Sequence, residues 1–321
     1  MDVTKVHVNL GSPSQNRHQL FDQPTKNSES QVVIKNLISG GSAAAISKSI
    51  VAPLERVKLL LQVQHVSRNI AVEQRYKGLI DCLVRIPREQ GFLSYWRGNT
   101  INVVRAFPKD AINFASKDKY RSLLRHYVFN GPGSHEFSAR LALNVLSGSA
   151  AGATSLTVLH PLDFARTRLA ADTGRVTHER EFKGLVDCLA KVYKIDGLPG
   201  LYRGYLVSVP EIMLFRGCYF GFYDTLRPKD ASLFVNYLVA QSVTTMSGLI
   251  AYPFDTVRRR MMMQSCVPVN ERVYKNTRSC WTHVYKTDGI NGFYKGVVAN
   301  VLRGLGGAIV LVLYDKFSHH H

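Results

Sequence analysis

The sequence predicts an all-α membrane protein in which six transmembrane helices form a pseudo-threefold bundle of three repeats, each with a short amphipathic helix. Two observations support this fold class: long apolar runs and an internal repeat. Segments 141–159 and 231–254 contain no charged residue and are long enough to cross a bilayer. Three further apolar segments, 36–54, 98–107 and 296–314, each contain a single charged residue.

The internal repeat has a period of roughly 100 residues, and a proline motif marks each copy. The pattern Pro-x-acid-x-x-base occurs at Pro53–Lys58, Pro161–Arg166 and Pro253–Arg258. A cysteine and a second block, with an aromatic residue, a base and a glycine, follow each motif in register. The cysteines Cys82, Cys188 and Cys280 are 106 and 92 residues apart, and Gly91, Gly197 and Gly289 of the second block show the same two spacings. Each copy is therefore predicted to contain a span that ends at the proline motif, an amphipathic stretch and a second span.

These boundaries predict the organisation of the whole chain. We expect a disordered polar segment at 1–34, repeats at 35–135, 136–230 and 231–318, and a histidine tail at 319–321. The polar start of the chain has no apolar core typical of a secretory signal. Five cysteines, an odd number without paired spacing, predict neither a disulfide framework nor a metal site.

The charge balance points to an anionic partner. The net charge is +18, which favours nucleic acid, acidic lipid or a polyanionic small molecule. Lys48, Arg105 and Arg303 are the single charges of the three interrupted spans. Because a charge within a span costs at least ~2.5 kcal/mol, it usually faces a wet interior. We therefore predict that these three cations line a central anion-binding site.

The three proline motifs resemble the mark of the mitochondrial carrier family. In the third copy, Arg258, Arg259, Arg260, Met261, Met262 and Met263 resemble the signature of that family's ADP/ATP carriers. The resemblance covers roughly residues 35–317. It implies a multi-pass antiporter of the mitochondrial inner membrane that exchanges cytosolic ADP for matrix ATP electrogenically, by alternating access. It also implies a monomer that is not an enzyme and needs no cofactor apart from bound cardiolipin.

The resemblance implies two rings of ion pairs that close the transporter in turn. The matrix ring would join the repeats through Glu55, Lys58, Asp163, Arg166, Asp255 and Arg258. The alternative is three local i,i+3 pairs, each worth a few tenths of a kcal/mol. The cytoplasmic ring would contain Asp118, Arg121, Asp224, Arg227 and Asp315. Since Ser318 replaces the last base, this second ring is expected to be weaker.

The resemblance also implies a nucleotide site. Lys48, Arg105 and Arg303 match phosphate-binding cations, and Ile212 and Phe215 match the adenine contacts. The remaining positions that match cavity residues are Asn113, Arg216 and Arg259. Several cavity positions depart from the family pattern: Ala106, Lys109, Asp110, Ser116, Pro210, Glu211 and Ala251. Glu211, where the family has a glycine, would either repel a polyanion or accept a hydrogen bond from the purine amino group.

Cardiolipin is the lipid that the resemblance implies. Its phosphates would bind at helix N-termini that follow the glycines Gly78, Gly98, Gly184, Gly204 and Gly296. Asn276 replaces the sixth glycine, so one site is expected to be weaker. The alternative is that these motifs are only turns before helices.

Three other functions remain open to different degrees. A carrier for another anion, or a proton-leak pathway, would suit the altered cavity. A soluble nucleic-acid binder is suggested only by the net charge, and the two uncharged spans count against it. An enzyme is disfavoured because the sequence has no nucleophile–base set, metal-ligand spacing or Walker loop.

Overall fold

The computed structural model describes residues 26–67, 70–128, 137–174, 180–226 and 233–304. The chain divides into two units, residues 1–41 and 42–321. The described part of the first unit is the beginning of one helix, and the site described below lies entirely within the second unit.

The described residues form long helices joined by shorter ones, and they contain no strand, which confirms the predicted all-α class. The long helices are α1 Lys26–Val63, α3 Asn99–Tyr127, α4 Phe137–Ala171, α6 Tyr205–Leu226, α7 Leu233–Met262 and the described part of α9, 297–304. The short helices are α2 Leu79–Gln90, α5 Leu185–Leu201 and α8 Thr277–Asp288. Short 3-10 turns occur at Val72–Gln74, Phe92–Trp96, Val269–Glu271 and Ile290–Tyr294.

The first helix begins earlier than the sequence predicted. Helix α1 begins at Lys26, so residues 26–34 of the segment predicted to be disordered are helical. No proline or glycine occurs between Pro24 and Gly40, so nothing in this stretch interrupts a helix. Residues 1–25 and the histidine tail lie outside the described residues.

The sequence predicted that the first span of each repeat ends at its proline motif, but helices α1, α4 and α7 continue beyond it. Each contains its proline, at Pro53, Pro161 or Pro253, and continues to Val63, Ala171 or Met262. A proline removes one backbone donor but does not prevent the following turns from being helical. The continuation places each motif's acid and base on helical backbone, where side chains three apart share a face.

Equivalent glycines with positive φ angles end or interrupt the three short helices. Gly91, Gly197 and Gly289 have φ angles of 84°, 66° and 64°. The break at Gly197 lies inside α5, whereas the equivalent breaks separate α2 and α8 from the 3-10 turns that follow them. A residue with a Cβ adopts this conformation at a cost, so glycine is favoured at all three positions.

Each short helix buries one face against the end of a long helix. Cys82, Cys188 and Cys280, the cysteines predicted to be in register, are fully buried in three separate apolar clusters. In the first cluster, Cys82 packs with Val57 and Leu60 of α1, and Ala299 of α9 joins them. The threefold sequence repeat thus corresponds to a threefold repeat of packing.

One helix among the described residues, Ser138–Ala171, is long and apolar enough to cross a membrane by length and composition. Helices α1, α3, α6 and α7 contain charged residues within their length. Many of those charges line the cavity described next.

Candidate functional site

A cavity of about 470 Å3 lies between α1, α3, α4, α6, α7 and α9. All nine residues predicted to bind substrate line it: Lys48, Arg105, Asn113, Glu211, Ile212, Phe215, Arg216, Arg259 and Arg303. The six residues predicted to form the matrix ring line the same cavity: Glu55, Lys58, Asp163, Arg166, Asp255 and Arg258. The two predicted sites are therefore parts of one site.

We call these six residues the gate ring, because they pair from repeat to repeat in a closed cycle. Arg166 of the second repeat pairs with Glu55 of the first, and Arg258 of the third pairs with Asp163 of the second. The cycle closes where Lys58 Nζ of the first repeat lies 2.8 Å from Asp255 Oδ2 of the third. The side chains are 10 to 18% exposed, so these pairs are mostly withdrawn from solvent. The acids and bases of one motif do not pair with each other locally.

Gln62 supports one link of the gate ring, a role that the sequence analysis did not assign. Its fully buried side-chain amide lies 3.1 Å from Asp255 Oδ2 and 3.2 Å from Thr256 Oγ1. An uncharged polar residue that directly follows three leucines, Leu59–Leu61, was the available signal. Buried amides of this kind need hydrogen-bond partners.

Each acid of the gate ring contacts a second cation from the cavity wall. Arg105 Nη1 lies 2.6 Å from Asp163 Oδ1, and Arg259 Nε lies 2.9 Å from Asp255 Oδ1. The third contact is longer, 3.7 Å between Arg303 Nη1 and Glu55 Oε1. Two of the three predicted phosphate-binding cations, Arg105 and Arg303, are thus bound to gate acids in this structure.

Three other cations of the cavity have no carboxylate within 4.0 Å among the described residues. They are Lys48, Lys109 and Arg216, and all three line the cavity. Lys109 was noted in the sequence only as a departure from the family pattern. It stands four residues after Arg105 on α3, so both side chains lie on the same face of that helix. The cavity therefore presents uncompensated positive charge.

The wall formed by α6 presents apolar and aromatic side chains beside the charged Glu211 and Arg216. Ile212 packs against Gly152, where an added Cβ would lie 2.8 Å from Ile212 Cγ2. Phe215 stacks on Tyr219, with ring centroids 6.2 Å apart, and Tyr219 stacks on Tyr223 at 5.8 Å. The two tyrosines follow Phe215 at successive intervals of four residues, a spacing that could have predicted this ladder.

Asn113 on the opposite wall has an unsatisfied acceptor. Its side-chain Oδ1 is buried and has no hydrogen-bond partner among the described residues. Buried polar atoms are usually satisfied, so an unpaired acceptor in a cavity wall suits a bound polar group.

Glu211 contacts the gate ring directly. Its Oε2 lies 3.5 Å from Arg258 Nη1, while Nη2 of the same guanidinium binds Asp163. The carboxylate lines the cavity beside Ile212, as the sequence placed it, but an arginine partly compensates its charge.

The signature residues 258–263 divide between the cavity and the core. Arg258 and Arg259 line the cavity, whereas Arg260 is 1% exposed and donates hydrogen bonds to the carbonyl oxygens of Gln62 and Gly292. Met261–Met263 are buried in the apolar clusters around the short helices. Only the first two arginines can therefore reach a molecule in the cavity.

The glycines predicted to bind cardiolipin fall into two structural groups. Gly98, Gly204 and Gly296 lie just before α3, α6 and α9, the second long helix of each repeat, and have φ angles of 78°, 84° and 83°. A Cβ at these positions would lie 3.0, 2.8 and 2.8 Å from the carbonyl oxygens of Arg166, Arg258 and Lys58, respectively. Each glycine therefore packs against the backbone of a gate-ring base in another repeat.

Gly78 and Gly184 have extended backbones and precede the first residues of α2 and α5. No side chain of these residues caps the helix, and open space surrounds both positions. The third equivalent, Asn276, differs because its side chain accepts a hydrogen bond from Ser279 N, 2.8 Å away, in a capping box. The first two helix N-termini have no side chain at the cap position, although Asp81 and Asp187 of their first turns accept hydrogen bonds from Lys77 N and Lys183 N. The third is occupied by its own cap.

The predicted cytoplasmic ring is only partly visible. Asp118 and Arg121 are exposed and form no ion pair among the described residues. The side chain of Asp224 and residues Arg227 and Asp315 lie outside the described residues. The ring remains a prediction.

Charges beside the short helices form a separate cluster outside the cavity. His65 Nε2 lies 2.8 Å from Lys295 Nζ, and its Nδ1 lies 3.2 Å from Arg75 Nη1. Burial and the nearby Lys295 charge lower the pKa of His65 to about 4. Lys295 also pairs with Asp288 at 2.9 Å, and this pair holds the pKa of Asp288 below its usual value although burial opposes that shift. His65 is therefore neutral at neutral pH.

Comparison with known proteins defines the class. A family model for mitochondrial carrier proteins matches residues 29–128, 138–230 and 229–321. The chain belongs to the mitochondrial carrier family, a family of transporters, and this membership assigns it to the mitochondrial inner membrane.

Several relatives have more particular names. The ADP/ATP translocase 2 of Rattus norvegicus is 54% identical, and the match covers 89% of this chain and 97% of the relative. The ADP/ATP translocase 4 of Bos taurus is 56% identical over 88% of each chain. The ADP/ATP translocase 3 of Homo sapiens is 54% identical, covering 88% of this chain and 96% of the relative.

Proposed function

We propose that this chain is a multi-pass antiporter that exchanges cytosolic ADP for matrix ATP by alternating access. The observation that carries the proposal is a cavity in which uncompensated cations stand beside a closed ring of inter-repeat ion pairs. The similarity to proteins named ADP/ATP translocase supports the choice of substrate.

Lys48, Lys109 and Arg216 would make the first contacts with the phosphates. Within the described part of the chain these cations have no carboxylate partner to release, so they can bind a polyanion without breaking an ion pair seen there. Charge-assisted hydrogen bonds to phosphate are short and about twice as strong as neutral ones. The adenine base would lie against Ile212 and Phe215, where stacking and apolar contact are available.

Arg105 and Arg303 would couple substrate binding to the opening of the gate ring. Each is bound to a gate acid, Asp163 or Glu55, so phosphate must compete with that acid for the guanidinium. When phosphate succeeds, the acid loses one of its two cations, and the neighbouring ring pair becomes easier to break. Substrate binding thus provides free energy for opening, which a ligand can do only through differential affinity for the two states.

The exchange is electrogenic in this proposal. ADP carries about three negative charges and ATP about four, so each cycle moves one net charge, worth about 2.3 kcal/mol per 100 mV. A membrane potential that is negative on the matrix side would therefore drive ATP outward.

Cardiolipin would bind at the open N-termini of α2 and α5 in this proposal. Backbone N–H groups and the helix dipole at such termini favour phosphate. The side chain of Asn276 occupies the equivalent position before α8, so the third site would bind the lipid more weakly.

Uptake by proteoliposomes tests the proposed exchange. Purified protein reconstituted with internal ATP should take up radiolabelled ADP, whereas vesicles without internal nucleotide should not. Equal uptake in both preparations would contradict obligatory exchange, and no uptake in either would contradict the assigned substrates.

Transport of another anion, or proton leak, is the second candidate. The feature that favours it is Glu211, a further acid in a cavity whose lining cations outnumber its acids. Competition of unlabelled anions with ADP, together with proton flux measured in the same vesicles, would separate the candidates. Proton flux without nucleotide exchange would favour the second.

A further inference from the structure

Three residues occupy equivalent positions on α3, α6 and α9, and one of them has the opposite charge. Arg105, Glu211 and Arg303 each stand seven residues after one of the equivalent glycines Gly98, Gly204 and Gly296. Seven residues correspond to about two helical turns, so the three side chains start at the same level of the bundle. The first and third repeats present an arginine there, and the second repeat presents a carboxylate.

The contacts of these three residues invert with their charge. Arg105 and Arg303 bind acids of the gate ring, Asp163 and Glu55, at 2.6 and 3.7 Å. Glu211 binds a base of the ring, Arg258, at 3.5 Å. All three therefore contact the gate ring, but Glu211 does so by adding an acid where the others add a base.

Two nitrogens of the Arg258 guanidinium therefore each contact a different carboxylate. Its Nη2 binds Asp163, and its Nη1 faces Glu211. The side chains of Arg258 and Glu211 are 12 and 18% exposed, so solvent screens this contact less than a surface pair. Opening the ring at this link requires Arg258 to leave two acids, whereas Lys58 and Arg166 each leave one.

We propose that Glu211 is a positioning residue of the gate, a latch that holds Arg258 in the closed ring. The proposal rests on the transport function proposed above. Other charges face the same region: Lys58 and Arg259 attract the carboxylate, and Asp255 repels it. Among the described residues, Arg258 is the one cation within 4.0 Å of the Glu211 carboxylate, so we expect its charge to act mainly on the gate.

A matched pair of substitutions separates the latch from simple repulsion of substrate. Glu211→Gln removes the charge. Glu211→Asp keeps the charge in the cavity but withdraws the carboxylate by one C–C bond, about 1.5 Å, from Arg258. A latch requires the carboxylate to contact Arg258, so both variants should lose it. Repulsion of substrate requires only the charge, so under that explanation Glu211→Asp should behave like the wild type. Glu73→Gln, at an exposed acid of the 3-10 turn Val72–Gln74 that has no ion pair among the described residues, is the control.

Two measurements on the full-length protein decide between a latch on Arg258 and repulsion of substrate. Without substrate, both Glu211 variants should unfold about 2–4 °C below the wild type and the control. In ATP-loaded vesicles, both should raise the turnover of ADP exchange about two- to tenfold and leave KM for ADP within about twofold, because every turnover breaks the latch.

Wild-type behaviour of Glu211→Asp in both measurements would overturn the proposal. A lower KM for ADP in Glu211→Gln with unchanged turnover would overturn it too, because that result assigns the charge to substrate repulsion. If wild-type protein exchanged no ADP, the proposed function would fail, and the unfolding comparison without substrate would still decide whether Glu211 holds Arg258.

Discussion

Arg105 on α3 lies 2.6 Å from Asp163 on α4, so a cation of the substrate cavity is already bound to an acid of the gate ring. Lys48, which lines the same cavity, has no such partner among the described residues. This difference predicts distinct consequences for the two neutral variants. Arg105→Gln and Lys48→Gln should both lower ADP exchange, by about two orders of magnitude for Arg105, because phosphate loses a charged donor.

Only Arg105→Gln should also lower the unfolding temperature of the protein without substrate, because Asp163 then loses a cation that it holds in the resting state. Thermal unfolding in detergent with and without ADP measures both effects, and Arg125→Gln, an exposed position of α3, is the control. Equal unfolding temperatures for the two cavity variants would contradict the coupling between cavity and gate.

Lys109 should favour the more highly charged nucleotide. It adds a cation one helical turn from Arg105. An additional phosphate of ATP can use this cation, so Lys109→Gln should weaken ATP binding about three- to tenfold more than ADP binding. Competition of each nucleotide against labelled ADP uptake gives the ratio. The exposed neighbour variant Lys119→Gln should leave the ratio unchanged, and a proportional loss for both nucleotides in Lys109→Gln would refute the preference.

Gly296 should tolerate no side chain. Its φ angle is 83°, and a Cβ would lie 2.8 Å from the carbonyl oxygen of Lys58. Gly296→Ala should therefore lower the free energy of unfolding by about 2 kcal/mol or more, through backbone strain and displacement of Lys58. Gly221→Ala is the matched control, because its Cβ would meet no atom within 4 Å and its backbone is helical. Similar unfolding temperatures for the two variants would show that the close contact is unimportant.

Asn276 should control the third cardiolipin site. Asn276→Gly opens the N-terminus of α8, as Gly78 and Gly184 open those of α2 and α5. The variant should lose about 0.3 kcal/mol of stability in lipid-free detergent, because glycine lacks the side-chain cap but is itself tolerated at an N-cap. Adding cardiolipin should raise the unfolding temperature of Asn276→Gly more than that of the wild type. Ser279→Ala removes half of the capping box without creating a glycine and should show the first effect without the second. An unchanged response of Asn276→Gly to the lipid would argue against binding at this terminus.

His65 should make the stability depend on pH in the mildly acidic range. Its pKa in the folded protein is about 4, below the ordinary value of 6.5, because burial and Lys295 disfavour the imidazolium. The unfolded chain therefore binds a proton at higher pH than the folded chain does. The stabilising difference is fully present above about pH 6.5 and is lost as the pH falls towards 4. Unfolding temperatures should fall less steeply over this range in His65→Gln, and parallel curves for the two proteins would contradict the assignment.

The repeat made the fold predictable, whereas the contacts between repeats were less accessible from the sequence. Three motifs in register indicated six spans, three short helices and a ring of acids and bases. The sequence left open whether the pairs are local, and the structure joins Glu55 to Arg166 rather than to Lys58. Two of the three second cations on the gate acids could not be read from spacing, because Arg105 and Arg303 belong to different repeats from Asp163 and Glu55. The third, Arg259, stands four residues after Asp255 on α7, a spacing that does indicate a contact.

Local chemistry also misled at specific points. A proline normally suggests a helix end, but α1 continues beyond Pro53, since only one backbone bond is lost. The sequence placed Glu211 beside the adenine contacts correctly, but its partner Arg258 lies 47 residues further along the chain. Such a partner becomes visible only when α6 and α7 are packed together.

The contacts of Gly98, Gly204 and Gly296 bear on how such a chain can fold and how it could have arisen. Each glycine meets the backbone of a different repeat, and α3 packs along α4 as α6 packs along α7. The tightest backbone approaches therefore fall between the sequence units rather than inside them. A single unit expressed alone would leave both of its outer helix faces and its ring acid without partners. The smallest autonomous module is consequently the closed set of three, and duplication of an ancestral unit would have yielded a stable protein only through self-association or after triplication.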